Sequence, residues 1–249
     1  LLQSLFLILI FSCSGSKKNF DISLKDKFDS GMRNLENGKY LQAQVDFNDV
    51  LLRGTGSELG DDAQYFLGEA YYQNNEYLDA ITEFEKLTRR MGFSEYVEKA
   101  RFKICEAYKI ESPKYYHDQE YTVKALERYQ EFIDDYPNSE YIDLIMVSIE
   151  ELRNKLAEKL YQTGILYIKM EEFESAKIAF NEAINTYYDT DIIHKLYQGL
   201  IITLSKNLEV EKAYEILKKH ESSLKQFNLY SDALSSIDIG KSKLKKGEK

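Results

Sequence analysis

The chain has 249 residues, of which 43% are apolar and 30% are charged, and only two are prolines. This composition suits an all-helical protein, built as one elongated domain or as one to two compact domains. With 33 basic and 42 acidic residues the formal net charge is -9. Such a balance argues against the wrapping of nucleic acid, because phosphate contacts need a positive stripe.

The N-terminal residues predict an export signal. The apolar run at residues 5–11 is too short to cross a bilayer but suits the centre of a signal peptide. The tetrapeptide IFSC, which ends at Cys13, is similar to a lipobox, where bacterial lipoproteins are lipidated on cysteine and cleaved just before it. We expect residues 1–12 to be the signal peptide, Cys13 to carry lipid and residues 13–23 to be a flexible tether. The alternative is an apolar helix in the core of the fold. Because the sequence begins without Met or a basic segment, we expect the precursor to start further upstream.

A spacing of glycine, alanine and aromatic residues recurs along the chain. The clearest copy lies in residues 63–85, where Gly68 precedes Ala80 by twelve residues. This spacing lets two antiparallel helices pack closely, and it is typical of the tetratricopeptide repeat (TPR). The first hairpin, residues 24–52, repeats it from Gly31 to Ala43, with Tyr40 and Phe47 in the positions of Tyr77 and Phe84.

The third hairpin begins at Ala100 and departs from this spacing. Cys105 takes the glycine position, and Ala125 follows it after twenty residues, eight more than in the other copies. We expect Cys105 to be a buried structural thiol, because no basic group lies beside it to activate it. With Cys13 lipidated, no internal disulfide can form. The extra residues, 111–118, predict an inserted loop that serves either for binding or only as a longer turn.

The rest of the chain continues the repeats. Residues 140–169 predict one long helix, whose second half starts a fourth hairpin with Gly164 and Ala176 again twelve apart. A fifth hairpin, residues 191–220, has Ile201 in the glycine position. We expect a final helix over residues 222–239 and a solvated basic tail from 240 onwards. The fold predicted is therefore all-α, a TPR-like solenoid of about five helical hairpins with a long helix shared between the third and fourth.

The inner face of such a stack is lined mainly by the first helix of each hairpin. One face of the second and third hairpins carries aromatic and acidic side chains at helical spacing. These candidate groove residues are Asp62, Tyr65, Glu69, Tyr72, Phe102 and Glu106. The groove could hold an extended or hairpin peptide, although Tyr65 and Phe102 could equally be ordinary packing residues.

No cluster of catalytic or metal-binding residues is evident in the sequence. The three histidines, His117, His194 and His220, are far apart in the sequence, and no carboxylate or thiol lies at ligand spacing. The glycine-rich segment 54–60 has one residue too many for a dinucleotide fingerprint and follows a helix rather than a strand. We therefore expect neither a metal, a cofactor nor an enzymatic activity.

Five features together are more specific than the repeats alone. They are Cys13-Ser14-Gly15-Ser16-Lys17 after the export signal, Glu36-Asn37-Gly38-Lys39-Tyr40 at the first turn, Tyr71-Tyr72 at the end of the third helix, the insertion before Ala125, and Tyr136-Pro137-Asn138-Ser139-Glu140-Tyr141 before the long helix. On these features the chain resembles the BamD family of outer-membrane assembly lipoproteins over roughly residues 13 to 220. The resemblance departs at residues 53–56, Arg-Gly-Thr-Gly, where family members usually carry a Tyr-Pro pair.

This resemblance implies a non-enzymatic scaffold, lipid-anchored on the periplasmic face of the outer membrane. Its partners would be the periplasmic domains of BamA, unfolded barrel precursors and other lipoproteins of the assembly complex. By the same resemblance, residues 24–110 face substrate, residues 111–220 face the partner, and residues 221–249 add a final helix and tail. The alternative is another periplasmic TPR lipoprotein that scaffolds cell-division or cell-wall enzymes, or a pilot protein for a secretin.

Overall fold

The structure is a computed structural model that describes residues 23–54 and 56–247. The predicted signal peptide, the predicted lipidation site Cys13 and all but the last residue of the predicted tether lie outside this part. Within it, every regular element is an α helix. The helices are α1 (Leu24–Glu36), α2 (Tyr40–Arg53), α3 (Gly60–Gln73), α4 (Tyr77–Arg90), α5 (Val97–Glu111), α6 (Glu120–Asp135), α7 (Ile142–Lys169), α8 (Phe173–Thr186), α9 (Ile193–Lys206), α10 (Val210–Lys219), α11 (Glu221–Gln226) and α12 (Tyr230–Lys246).

Helices α1 to α10 form five consecutive hairpins, so the prediction of an all-α, TPR-like solenoid is confirmed. The second helix of each hairpin packs on the first helix of the next. The first helices also approach one another, α1 with α3 and α7 with α9. They therefore form the inner side of the stack. The predicted shared helix is α7, whose 28 residues are twice the 14 of α8.

A phenylalanine ring packs against a glycine in the same way in three of the five hairpins. Phe84 of α4 lies against Gly68 of α3, where an added Cβ would come within 2.6 Å of the ring. The equivalent contacts are Phe47 with Gly31 in the first hairpin and Phe180 with Gly164 in the fourth. All three rings are fully buried. Glycine is required here because the ring occupies the volume that a side chain would take.

The third hairpin fills this space with a different pair, Cys105 and Tyr129. Both side chains are buried in one cluster. Burial raises the pKa of the Cys105 thiol, so the thiol stays protonated and unreactive. The prediction of a buried structural thiol is confirmed.

The turns inside the hairpins share one backbone conformation. The second residue after the first helix is left-handed in four hairpins, and the same holds between α11 and α12. The residues are Gly38, Asn75, Glu171, Leu208 and Asn228, with φ between 58° and 71°. In the α7–α8 turn the backbone N–H of Glu172 donates to the carbonyl oxygen of Tyr167 at 2.9 Å, the bond that closes a helix C-terminus in a Schellman motif.

The third hairpin has an ordered loop, residues 112–119, in place of this turn. The buried side-chain amide of Gln119 donates to the carbonyl oxygens of Lys114 at 2.9 Å and His117 at 3.1 Å. Two lysines of α7 hold the loop from the other side: Lys155 Nζ donates to Ser112 Oγ at 2.7 Å and Lys159 Nζ to the carbonyl oxygen of His117 at 2.9 Å. The predicted insertion is present, and it joins the third hairpin to α7.

The C-terminal end differs from the sequence prediction. The predicted final helix is two helices, α11 and α12, and residues 240–246, predicted as a solvated tail, are the last turns of α12. Ala233, Ile237 and Gly240 give α12 a buried face. Gly240 lies so close to the end of α9 that an added Cβ would be 2.6 Å from the carbonyl oxygen of Ser205. Because of this packing, α12 continues through residues 240–246, which the sequence analysis predicted as a solvated tail because they are rich in lysine.

Glu171→Gly should stabilise the protein. Glu171 is exposed and has a φ of 63°, a region that costs a residue with a Cβ about 1–2 kcal/mol. Glycine also has more conformational entropy in the unfolded chain, which offsets part of this gain. We therefore expect the free energy of unfolding, measured by urea titration, to rise by about 0.5–1 kcal/mol. The neighbouring Glu172 has a φ of -86°, so Glu172→Gly removes the same charge and should destabilise. Equal effects would contradict the strain argument.

Gly68→Ala should lower the free energy of unfolding by about 1–3 kcal/mol, because the new methyl group would overlap the Phe84 ring. Gly92→Ala is the control, since an added Cβ there meets no atom within 4 Å. Urea unfolding of both variants checks the prediction, which fails if Gly68→Ala is as well tolerated as Gly92→Ala.

Candidate peptide-binding face

Polar side chains cross the inner side of the stack from α3 to α7. We call this set the inner ladder; its members are Glu69 and Tyr72 of α3, Lys103, Glu106 and Lys109 of α5, and Glu151 of α7. Lys103 Nζ lies 3.0 Å from Glu69 Oε1 and 4.2 Å from the centroid of the Tyr72 ring. Lys109 Nζ lies 2.7 Å from Glu151 Oε2. The inner ladder thus ties three successive first helices together.

Glu106 is held from beneath by the core. The hydroxyl of Tyr129, whose side chain is fully buried, donates to the Glu106 carboxylate. Burial and the neighbouring carboxylate both raise the pKa of Tyr129. This hydroxyl is present because the third hairpin has tyrosine where the first, second and fourth have phenylalanine. The exception in the core therefore fixes a carboxylate on the inner face.

Two of the three predicted aromatic members of the groove, Tyr65 and Phe102, are packing residues. Tyr65 is 8% exposed, and its ring stacks on Tyr96 with centroids 4.4 Å apart. Phe102 stacks in the same way on Tyr141, with centroids 4.1 Å apart. Of the two interpretations that the sequence left open, the structure favours packing for both residues.

The covering rings, Tyr96 and Tyr141, were missed by the sequence prediction, although a signal for them exists. Each is the residue just before a first helix, α5 or α7. Each ends the tripeptide Ser-Glu-Tyr, at residues 94–96 and 139–141. This short repeat places a tyrosine over the aromatic residue of the preceding hairpin.

Asp62 is a hydrogen-bond partner of Tyr96 rather than an unpaired side chain in a groove. Burial, followed by a hydrogen bond to Asp62, raises the pKa of Tyr96 to about 12. Tyr72 is half-buried; burial and then the charges of Glu106 and Glu69 raise its pKa to about 12 as well. Both hydroxyls therefore stay protonated at physiological pH and serve as hydrogen-bond donors.

Lys103 is one of the members of the inner ladder that the sequence prediction lacked. It pairs with Glu69 and covers Tyr72, so the face is a mixture of donors and acceptors rather than an acidic, aromatic groove. No signal in one sequence identified it, because a lysine on a helix is ordinarily solvated.

Two histidines that are distant in sequence meet at the C-terminal corner. His194 stacks on Phe227 with centroids 4.1 Å apart, and His220 stacks on Tyr197 at 3.6 Å. Burial lowers the pKa of both histidines, so both are neutral packing groups at neutral pH. Over residues 23–54 and 56–247, no group of three or more His, Cys, Asp or Glu side chains could hold a metal ion.

The first half of α7 exposes apolar side chains beyond the end of α8. Met146 and Val147 are 54% and 55% exposed. They lie in a recess of about 420 Å³ together with Glu150, Arg153 and the α8–α9 connection at Asp189. We call this recess the α7 notch. Its far wall is fixed because Arg153 Nη2 lies 2.6 Å from Asp189 Oδ1 and donates to the carbonyl oxygen of Thr186 at 2.7 Å.

The notch follows from the double length of α7. Helix α8 runs back along only the second half of α7 and ends at Thr186. The first half packs through Ile145, Ser148 and Leu152 on the third hairpin. Its other side has no helix against it in the described part of the chain. In this same part, no helix is both long and apolar enough to span a membrane.

These features define a TPR-like helical-repeat protein, a fold suited to contact with other proteins. A family model described as YfiO, outer membrane lipoprotein, matches residues 21–222. The chain therefore belongs to the YfiO family of outer membrane lipoproteins. A comparison with curated proteins gave no match.

Among solved structures the chain is similar to several TPR proteins. The TPR2AB domain of yeast Sti1 in complex with pHSP90 is 16% identical, with a TM-score of 0.42, and the match covers 88% of this chain and 90% of that one. The MamA protein is 17% identical, with a TM-score of 0.36 and coverage of 81% and 94%. A thermophilic TPR protein of Thermus thermophilus is 16% identical, with a TM-score of 0.36 and coverage of 86% and 99%. These similarities are too low to carry a functional inference.

The Lys103–Glu69 pair should contribute more to stability than an exposed pair. Its side chains are 25% and 14% exposed, against 65% and 43% for Lys25–Asp29. In a double-mutant cycle of Lys103→Met and Glu69→Gln, urea unfolding should give a coupling free energy of about 1 kcal/mol. The matched cycle of Lys25→Met and Asp29→Asn should give about 0.3–0.5 kcal/mol. Equal couplings would contradict a structural role for the inner ladder.

Proposed function

We propose that this protein is a lipid-anchored, non-enzymatic scaffold of the outer-membrane β-barrel assembly machinery, as in the BamD family. In this role it holds the periplasmic domains of BamA and receives unfolded barrel precursors. Its anchor is Cys13, on the periplasmic face of the outer membrane. The observation that carries the proposal is the YfiO family match over residues 21–222. The inner ladder and the α7 notch supply two separate surfaces for the two kinds of partner.

The inner ladder suits an unfolded chain in an extended conformation. Such a chain presents backbone N–H and carbonyl groups that need partners. Glu69 and Glu106 accept hydrogen bonds, and Lys103 and the Tyr72 hydroxyl donate them. Because the face binds backbone groups rather than a particular side chain, it accommodates precursors of different sequence.

The same contacts make binding transient. Glu69 already pairs with Lys103, and Glu106 already accepts from Tyr129. A bound peptide must exchange these bonds for its own, and an exchanged hydrogen bond gains little net free energy. Tyr65 and Phe102 are covered by Tyr96 and Tyr141, so aromatic side chains of the precursor find no open pocket there. Weak binding is what a protein that passes its substrate onward requires.

The α7 notch suits a folded partner such as a BamA periplasmic domain. Met146 and Val147 provide an apolar centre, while Glu150 and the Arg153–Asp189 pair provide a polar rim. An apolar centre with a polar rim is the usual anatomy of a protein–protein interface. The notch lies in residues 111–220, the half that the BamD resemblance assigns to the partner.

Val147→Glu should weaken BamA binding about tenfold, because it places a charge in the apolar centre of the interface. The measurement is recovery of BamA with the protein from detergent-solubilised membranes. Ile178→Glu is the matched control: Ile178 is also an exposed aliphatic residue, 68% exposed, and lies on α8. Its recovery of BamA should equal that of the wild type.

A photo-crosslinking residue at Tyr72 should capture unfolded barrel precursors, and one at Met146 should capture BamA. Recovery of a secretin or a cell-wall synthase without BamA would overturn the proposed function. If the wild type recovers BamA and both glutamate variants recover less of it to the same extent, only the assignment of the notch is overturned.

A further inference from the structure

We propose that the C-terminal end of α12 is a second membrane contact, in which lysine side chains bind the phosphates of anionic phospholipid headgroups. We call this segment the basic end; it consists of Lys241, Lys243, Leu244, Lys245 and Lys246. The proposal rests on the proposed function, in which the protein is anchored to the outer membrane by lipid at Cys13.

The charges of the chain are separated along the solenoid. Residues 23–189 contain twenty basic and thirty-three acidic side chains, whereas residues 190–247 contain ten lysines and seven carboxylates. The four lysines of the basic end account for the whole of this C-terminal excess. After Asp238 no acidic residue occurs up to residue 247. An acidic chain thus carries a local positive surface at the C-terminal end of α12.

Three of these lysines are free to bind an external anion. Within the described residues, Lys243, Lys245 and Lys246 have no carboxylate within 4 Å, and all three are exposed. Lys241 lies over the ring of Tyr214, with Nζ 5.0 Å from its centroid. Elsewhere many lysines are paired; Lys225 Nζ, for example, lies 2.6 Å from Glu221 Oε1.

Leu244 adds an apolar contact to the basic end. It continues the face that buries Ile237 and Gly240, but it is 50% exposed. The helix has by then passed Ser205 at the end of α9 and Val210 at the start of α10, which pack against Gly240. Lysines near a helix C-terminus are favoured by the helix dipole, which explains the charges but not the exposed leucine. An apolar side chain ringed by lysines suits the interface of a bilayer, where long basic side chains extend to the phosphates.

The contact would set the orientation of the solenoid on the membrane. The lipid and its tether precede α1, and the basic end is the last part of α12, at the other end of the stack. A lipid at the N-terminal side alone fixes position but leaves rotation free. A second contact at the far end lays the solenoid along the membrane, so that the inner ladder keeps one orientation towards arriving precursors.

The test uses the full-length lipidated protein in phosphatidylethanolamine vesicles with and without phosphatidylglycerol. The readout is amide hydrogen exchange over residues 239–247. We expect exchange to slow by roughly fivefold with phosphatidylglycerol, and high salt should abolish the difference because the contact is electrostatic. The variant Lys243→Gln/Lys245→Gln/Lys246→Gln should lose the difference. Its exchange in the neutral vesicles should match the wild type, which shows that α12 itself is intact.

The matched control is Lys39→Gln/Lys99→Gln/Lys169→Gln, which removes three exposed lysines elsewhere and should keep the difference. Equal exchange in both vesicles would overturn the proposal. So would protection that appears only when BamA is added. Flotation of the protein with the vesicles at high salt measures attachment through the lipid anchor alone, because high salt removes the electrostatic contact. If the protein does not float, the same exchange measurement with excess vesicles still tests the basic end.

Discussion

The architecture depends on one contact, an aromatic ring pressed against a glycine inside a helical hairpin. Phe84 on Gly68 sets the distance between two helices, and the same contact recurs in the first and fourth hairpins. Once this distance is fixed, each hairpin presents one face to its neighbours, so the hairpins stack and their first helices line one side. The third hairpin keeps the spacing with Cys105 and Tyr129 instead. The tyrosine hydroxyl then reaches the inner face and holds Glu106.

The inner face is consequently a closed network rather than an open groove. Its carboxylates are paired with lysines or with a core hydroxyl, and its large rings are stacked on each other. Such a face has its polar groups paired in the absence of a ligand. The pKa values of Tyr72 and Tyr96 are raised, so both hydroxyls stay protonated at physiological pH and are available as hydrogen-bond donors.

The long helix α7 creates the other surfaces. It packs on the third hairpin with its first half and on α8 with its second, and its lysines hold the inserted loop. Because α8 covers only half of it, apolar residues stay exposed in the α7 notch. The solenoid therefore offers chemically different surfaces along its length: a polar face near the N-terminal half, an apolar recess in the middle and, at the end, a basic helix terminus.

The sequence by itself determined the number of hairpins, the long helix and the insertion, because these follow from local spacing: small residues where rings pack, and left-handed turns between helices. It also carried the family resemblance. Only the tertiary structure decided the state of the candidate site. Tyr65 and Phe102 lie on the predicted face, yet Tyr96 and Tyr141 cover them, and those partners arrive from the next hairpin. The sequence prediction did not include Lys103 in the site for the same reason, because its pairing with Glu69 joins two hairpins. The C-terminal lysines became helical because Gly240 packs on the end of α9, a contact between distant residues that no local pattern records.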